Sequence, residues 1–472
     1  MIFSKRHQSI QAVKLCIFFT VFFFFVIPVK FIGATEEDNY YTILLKDKID
    51  YDSVVRLARE KNIDIVYSIK ELGILQVKTE KEKIKTLGEN PLIDTYNPSL
   101  RTLGTKVNKN EDMPTQLQNS LWNKQWDMHK ITNNGESYKV YSGSKNVTVG
   151  IIDSGLDMEH PDLKSNIIDG SKNLVPKKGF REKERDESGD PNELTDKLGH
   201  GTHVAGQIAA NGKLKGVAPN VSIKSYRVFG ERTAESLWIV KGIIEAAKDD
   251  VDVINVSLGD YLIDGVAFLE NQGSKTNIAE IKAFKDAIEF AEKQGSIVVA
   301  AAGNNSLDVN NKDIMYKFLQ KKLRNDGIKL DGEVLDVPAA LPGVVTVSSV
   351  GPSNELSLFS NFGEGFIDIA APGGDNRLFQ QHDFDVWNNQ KMYEIEKVIS
   401  TGPDQDYFYD AGNSTAAPKV SGTLALIVGQ RNLKDQPKEA VNYLYKHGVD
   451  YVENSTSSFG NGILNVYKAV SP

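Results

Sequence analysis

Asn146-Val147-Thr148-Val149-Gly150-Ile151-Ile152-Asp153 is a continuous β-branched and apolar run that closes on a carboxylate. A run this short, with no polar alternation, predicts a strand buried on both faces. Val221 to Val228, Val251 to Val256, Ile297 to Ala302, Val344 to Val350 and Ile367 to Ala370 read the same way. Helical spacing falls between them, over His203 to Ala210, Ala234 to Asp249, Ile278 to Gln294 and Ala416 to Gln430. Buried strands alternating with helices imply a doubly wound parallel sheet, a three-layer α/β domain from about residue 120 to the C-terminus. Reactive groups in such folds collect beyond the carboxyl ends of the strands.

Four residues stand at such places. Asp153 ends the opening run, where a carboxylate can orient an imidazole. His200 lies in Gly199-His200-Gly201-Thr202-His203-Val204-Ala205-Gly206, at the start of a helix. Ser414 lies in Gly412-Asn413-Ser414-Thr415-Ala416-Ala417-Pro418, where a helix N-terminus leaves its N–H unpaired. Asn304 follows a strand in Ala301-Ala302-Gly303-Asn304, and its amide can donate to a developing oxyanion. Taken singly, an aspartate after a strand is usually a helix cap or turn residue, a serine before a helix an N-cap, and an asparagine after glycine a turn residue. His203 is a rival to His200 for the base. The joint occurrence carries the argument.

Working outward, residues 35–101 form a separate unit whose order, strand–helix–strand–strand–helix–strand, is ferredoxin-like α+β. The polar stretch 102–119 reads as a solvated linker. Residues 1–34 combine Lys5, Arg6 and Lys14 with an apolar run from Leu15 to Val29 and a small-residue end at Gly33-Ala34. That is the pattern of a secretory signal peptide, and the run is too short for a transmembrane anchor. Cys16 is the single cysteine and lies in this segment, so neither a disulfide framework nor a Cys-based metal site is expected. The chain of 472 residues is 40% hydrophobic and 25% charged with net charge −8, which excludes a disordered chain and argues against a nucleic-acid binder.

The ordered strings around Asp153, His200, Asn304 and Ser414 resemble the subtilisin-like serine proteases, from about residue 120 onward. The resemblance implies Ser414 as nucleophile, His200 as general base and acid, Asp153 as its orienting carboxylate, and Asn304 as oxyanion donor. It implies that residues 35–101 are a propeptide, an inhibitor and folding aid, and that Ser257-Leu258-Gly259, with Asp260 adjoining, is a substrate-binding edge. No cofactor is required for the chemistry. Asp162, in His160-Pro161-Asp162-Leu163, matches a family calcium ligand, although the loop Asn211 to Gly216 is short and carries two lysines, which disfavour a hard dication. Asn413 stands where the family usually has Thr, and Thr415 where many relatives have Met.

Gln125-Trp126-Asp127-Met128-His129-Lys130-Ile131-Thr132, the charged insert around Phe180-Arg181, and Tyr226-Arg227-Val228-Phe229-Gly230 resemble the lantibiotic leader peptidases of Gram-positive bacteria. That resemblance implies one cut that frees a modified peptide from its leader, commonly after Arg. Asp260, Asp308 and Asp313 are candidate acids for such a P1 residue, with ordinary surface acids as the alternative. Arg101 is a candidate self-cleavage point. The expectation is a secreted, monomeric endopeptidase whose partners are a precursor peptide and its own propeptide. A broadly degradative secreted subtilisin and an inactive peptide-binding scaffold are the alternatives.

Overall fold

A computed structural model describes residues 39–99, 101–103, 120–231, 233–269, 274–322, 328–453 and 455–472. The apolar segment 1–34 and residues 104–119 of the expected linker lie outside the described residues. The first unit contains β1 (Tyr40–Leu45), β2 (Asp64–Ile69), β3 (Ile74–Lys78) and β4 (Ile93–Pro98), with helices Tyr51–Glu60 and Lys81–Gly88. Its sheet runs in the order β2-β3-β1-β4, and the β1 contacts to β3 and β4 are antiparallel. Val54 and Ala58 from one helix and Ile84 and Leu87 from the other bury against Ile43, Leu75 and Val77.

Beyond it come β5 (Arg101–Leu103), β6 (Thr148–Asp153), β7 (Lys172–Asn173), β8 (Ser222–Arg227), β9 (Thr233–Glu235) and β10 (Val253–Val256). Next are β11 (Asp260–Leu269), β12 (Ser274–Asn277), β13 (Ile297–Ala301), β14 (Ile328–Val337), β15 (Val344–Val350) and β16 (Ile369–Pro372). Last are β17 (Val398–Thr401), β18 (Tyr407–Asp410), β19 (Val449–Asp450) and β20 (Ile463–Leu464). A nine-stranded sheet runs β19-β20-β16-β15-β13-β10-β6-β8-β7. From β16 through β7 its neighbours are parallel, as buried apolar runs joined by helices require.

Alternation along β6 divides the core. Val149 and Ile151 pack with Val204, Ile208, Val420 and Leu424 of helices His200–Ala209 and Asn413–Arg431. Ile152 faces the opposite layer, with Trp238, Ile243, Phe284 and Ile288 of helices Ser236–Lys248 and Ala279–Lys293. The molecule is therefore three layers deep, and the helices bearing His200 and Ser414 share one face.

The first unit sits on the other face. Asn97 Oδ1 accepts from Ala279 N at 2.8 Å, and Glu280 accepts from Thr42 Oγ1 at 2.6 Å and from Asn97 Nδ2 at 2.8 Å. Those contacts satisfy donors and acceptors at the N-terminus of the Ala279–Lys293 helix.

One region differs from the sequence reading. Residues 309–333 read as a polar insert around a short helix. The Lys312–Lys322 helix is present, but Ile328–Val337 pairs antiparallel with Asp260–Leu269 over its whole length, and β12 adds a third strand. The alternating pattern of Ile328, Leu330 and Val334 is weak as a strand signal because its partner lies far away in sequence and half its face is polar.

Candidate active site

Asp153 is fully buried at the end of β6. Its Oδ1 accepts from Ser154 N at 2.7 Å and meets His200 Nδ1 at 2.8 Å, while Oδ2 has no hydrogen-bond partner among the described residues. His200 is the first residue of its helix, three residues earlier than the apolar spacing predicts. The reason is Asp196, a residue that sequence reasoning missed. Asp196 Oδ1 accepts from Gly199 N and Ser154 Oγ, each at 2.8 Å, and its Oδ2 accepts from Thr202 N and Thr202 Oγ1, each at 2.8 Å. A buried carboxylate taking the orphan donors of a helix start fixes where that helix begins. The signal was an aspartate just before Gly199-His200.

Burial alone would lower the His200 pKa. The charge and hydrogen bond of Asp153, aided by Asp410 and Asp196, push it up to about 9 instead. His203, on the next turn, is fully buried, with Nε2 at 3.3 Å from the Val398 carbonyl and its ring against Phe408. Burial, then the charges of His200 and Lys419, push its pKa down to about 3. Asp153 binds His200 and leaves His203 to the core.

Ser414 is the second residue of the Asn413–Arg431 helix. Asn413 is buried: its N–H donates to Asn304 Oδ1 at 2.9 Å, its Nδ2 donates to the Gly303 carbonyl at 2.8 Å, and its Oδ1 accepts from Ser360 Oγ at 2.9 Å. The amide that replaces the family's usual hydroxyl thus ties the Asn413–Arg431 helix to the loop after β13. With Asn304 Oδ1 occupied, Asn304 Nδ2 is the end left to donate. A Cβ added at Gly412 would lie 2.9 Å from Ser414 Oγ and 3.3 Å from Asn304 Nδ2, so the glycine leaves both atoms facing one space. No hydrogen bond joins His200 to Ser414 in this structure; such contacts often tighten only around bound substrate.

Ser257 is buried and accepts from Asn255 Nδ2 at 2.9 Å, Leu258 is half-buried, and Gly259 is exposed. Asp260 opens β11 opposite Val337, with Oδ1 accepting from Tyr261 N at 2.7 Å. A second edge was not legible in sequence: β9 pairs antiparallel with β5, so residues 101–103 lie as a strand along Thr233–Glu235. The Arg101–Thr102 bond lies inside that strand. Arg181 of the charged insert supports it, donating to Glu235 Oε1 at 2.7 Å and to the Ser99 carbonyl at 2.8 Å.

Asp308 Oδ1 accepts from Asn310 N in its own turn, and Asp313 is exposed in a helix's first turn. Asp336 is the buried acid beside the Asn304 loop, accepting from Gly303 N at 2.7 Å. Asp162 Oδ1 and Oδ2 accept from Lys213 N at 3.0 Å and Leu214 N at 2.9 Å. Its lone pairs already serve two backbone donors, and among the described residues no cluster of three or more His, Cys, Asp or Glu could hold a metal.

A hydroxyl and an amide face one space beside Gly412, and a buried carboxylate holds an imidazole at the end of a parallel strand, which are the groups a serine hydrolase uses on acyl substrates. The chain belongs to the subtilase family, whose model matches residues 144–462, and it is a serine endopeptidase. It is 42% identical over 451 residues to the epidermin leader peptide-processing serine protease of Staphylococcus epidermidis, covering 92% of this chain and 94% of that protein. It is 42% identical over 346 residues to the nisin leader peptide-processing serine protease of Lactococcus lactis, covering 73% of this chain and 48% of that protein. The crystal structure of the epidermin leader peptide-processing serine protease from Staphylococcus aureus superposes with a TM-score of 0.81 at 41% identity, covering 91% of this chain and 97% of that one.

Proposed function

We propose that this chain is an exported leader peptidase that cuts a precursor peptide once, after a basic residue. Ser414 is the nucleophile, His200 the base, Asp153 its orienting carboxylate and Asn304 the oxyanion donor. His200 takes the Ser414 proton as Oγ bonds to the scissile carbonyl carbon. The carbonyl oxygen gains negative charge and is held by Asn304 Nδ2 and backbone N–H groups. Collapse breaks the C–N bond, His200 returns the proton to the leaving amine, and water then releases the acyl group by the same route.

The observation that carries the reading is the 2.8 Å contact of buried Asp153 with His200 Nδ1. The activities of the two leader-processing relatives support the substrate class. The pairing of residues 101–103 along Thr233–Glu235 supports strand addition as the binding mode and residues 35–101 as a propeptide whose tail occupies that edge. Export rests on the pattern of residues 1–34. Fluorophosphonate labelling, lost in Ser414→Ala, tests the nucleophile. Mass spectrometry of products from a peptide library tests the P1 residue: dominance of Arg or Lys is expected, and a strong aliphatic or aromatic preference would overturn the leader-peptidase reading while leaving the protease.

A further inference from the structure

Behind the Asn304 amide lies a buried polar hub that the catalytic roles above do not use. Asn361 is fully buried at its centre. Its N–H donates to the Gly303 carbonyl at 2.9 Å, and its Oδ1 accepts from Leu307 N at 3.0 Å and Asn305 N at 3.2 Å. Its Nδ2 donates to the Tyr261 hydroxyl at 2.6 Å and to Asp336 Oδ2 at 2.9 Å. Two backbone donors on Oδ1 fix which way the amide faces. Asp336 Oδ2 also takes Gly303 N, and the Tyr261 hydroxyl donates to Asn305 Oδ1 at 2.8 Å. The backbone on both sides of Asn304 is therefore held from behind. Gly303 allows this approach: a Cβ there would lie 2.3 Å from the Tyr261 hydroxyl, 2.5 Å from Asn361 Nδ2 and 2.8 Å from Asp336 Oδ2.

We propose that Asn361, with Asp336 and Tyr261, positions the Asn304 amide for oxyanion binding, the three acting as positioning residues without touching substrate. Tyr261 and Asp336 come from β11 and β14, so the antiparallel strand pair that begins at the proposed peptide-binding edge also sets the oxyanion donor. An oxyanion contact is useful only if the donor is in place before charge develops, and a displacement of about 1 Å can cost about 10²-fold in rate. A fully satisfied buried network is rigid enough to prevent that displacement.

The inference rests on Asn304 being the oxyanion donor, and one experiment separates the two. In the full-length chain, kcat and KM are measured on tetrapeptide p-nitroanilides with Arg or Leu at P1, for Asn304→Ala, Asn361→Ala, Tyr261→Phe, Asp336→Asn and the Asn304→Ala/Asn361→Ala double variant. Asn361→Ala is expected to lower kcat about 10²-fold with KM within about threefold, and to add less than about threefold in the Asn304→Ala background. Tyr261→Phe, which removes one oxygen and keeps the ring's packing, is expected to lower kcat about fivefold on both substrates. Losses from Asn304→Ala and Asn361→Ala that multiply independently would overturn the proposal, as would unchanged kcat in Tyr261→Phe. If Asp336→Asn alters only KM, and only for the Arg substrate, Asp336 is a P1-binding charge and not a positioning residue. If Asn304→Ala leaves kcat intact, the oxyanion assignment itself fails.

Discussion

His200 and His203 lie on one helix within a turn of each other and face opposite environments. His200 opens the helix, partly exposed, against the charge of Asp153, and its pKa rises to about 9. His203 faces the core between Val398 and Phe408, and its pKa falls to about 3. The difference shows that burial alone does not decide which imidazole is held ready to carry a proton. A carboxylate on its own side does, because the nearby negative charge outweighs desolvation at His200 and nothing comparable opposes it at His203.

The sharpest break of that comparison is His200→Ala against His203→Phe. The first is expected to lower kcat on the order of 10⁶-fold with the melting temperature nearly unchanged. The second is expected to leave kcat of the folded enzyme within a few fold and to change stability instead. Activity in His200→Ala with loss in His203→Phe would reverse the assignment. Asp153→Asn comes next, with kcat expected to fall about 10⁴-fold by analogy with other triads. Its pH profile sharpens the comparison. His200 accepts a proton only when neutral, so activity grows as pH rises through its pKa. The acid limb of kcat/KM should lie above the usual 6.5 in the native enzyme and move down in Asp153→Asn. A native limb at or below 6.5 would contradict the electrostatics.

Lys419 offers a smaller effect on the same face. It is fully buried in the Asn413–Arg431 helix, 2.9 Å from Asp127 and 3.0 Å from the Thr415 carbonyl. Lys419→Met is expected to cost about 3–5 kcal/mol by denaturant unfolding, since it strands a buried carboxylate. Lys419→Met with Asp127→Leu should recover most of that loss; no recovery would show that the pair acts through more than its charges. Asp196→Ala is expected to cost about 1–2 kcal/mol through the lost helix cap and to move His200 with it, read as a drop in melting temperature and in kcat together.

Much of the fold was legible. The buried runs around Val149 and Val345 and the helical spacing between them imply a parallel sheet with helices on both faces, because such runs can be satisfied in few other ways. Asp153, His200, Asn304 and Ser414 stood out because strand ends and helix starts are marked locally, by small residues and a change of period. The role of Asn413 was not legible: a missing hydroxyl can be seen in sequence, but the amide's ties to Ser360 and Gly303 cannot. Asp336 and Asn361 carry no local mark in the sequence, because the groups they bind lie in other segments of the chain.

By itself the sequence determined which chemical groups the protein owns and which local elements carry them, since period, caps and apolar runs act over a few residues. The tertiary structure decided the rest: which histidine meets Asp153, that Asp162 serves backbone donors, that β5 lies along β9, and that an asparagine, a tyrosine and an aspartate from three segments close behind Asn304. Those outcomes depend on hydrogen bonds and charges between residues far apart in the chain, whose strength is set by burial that exists only once the layers have packed.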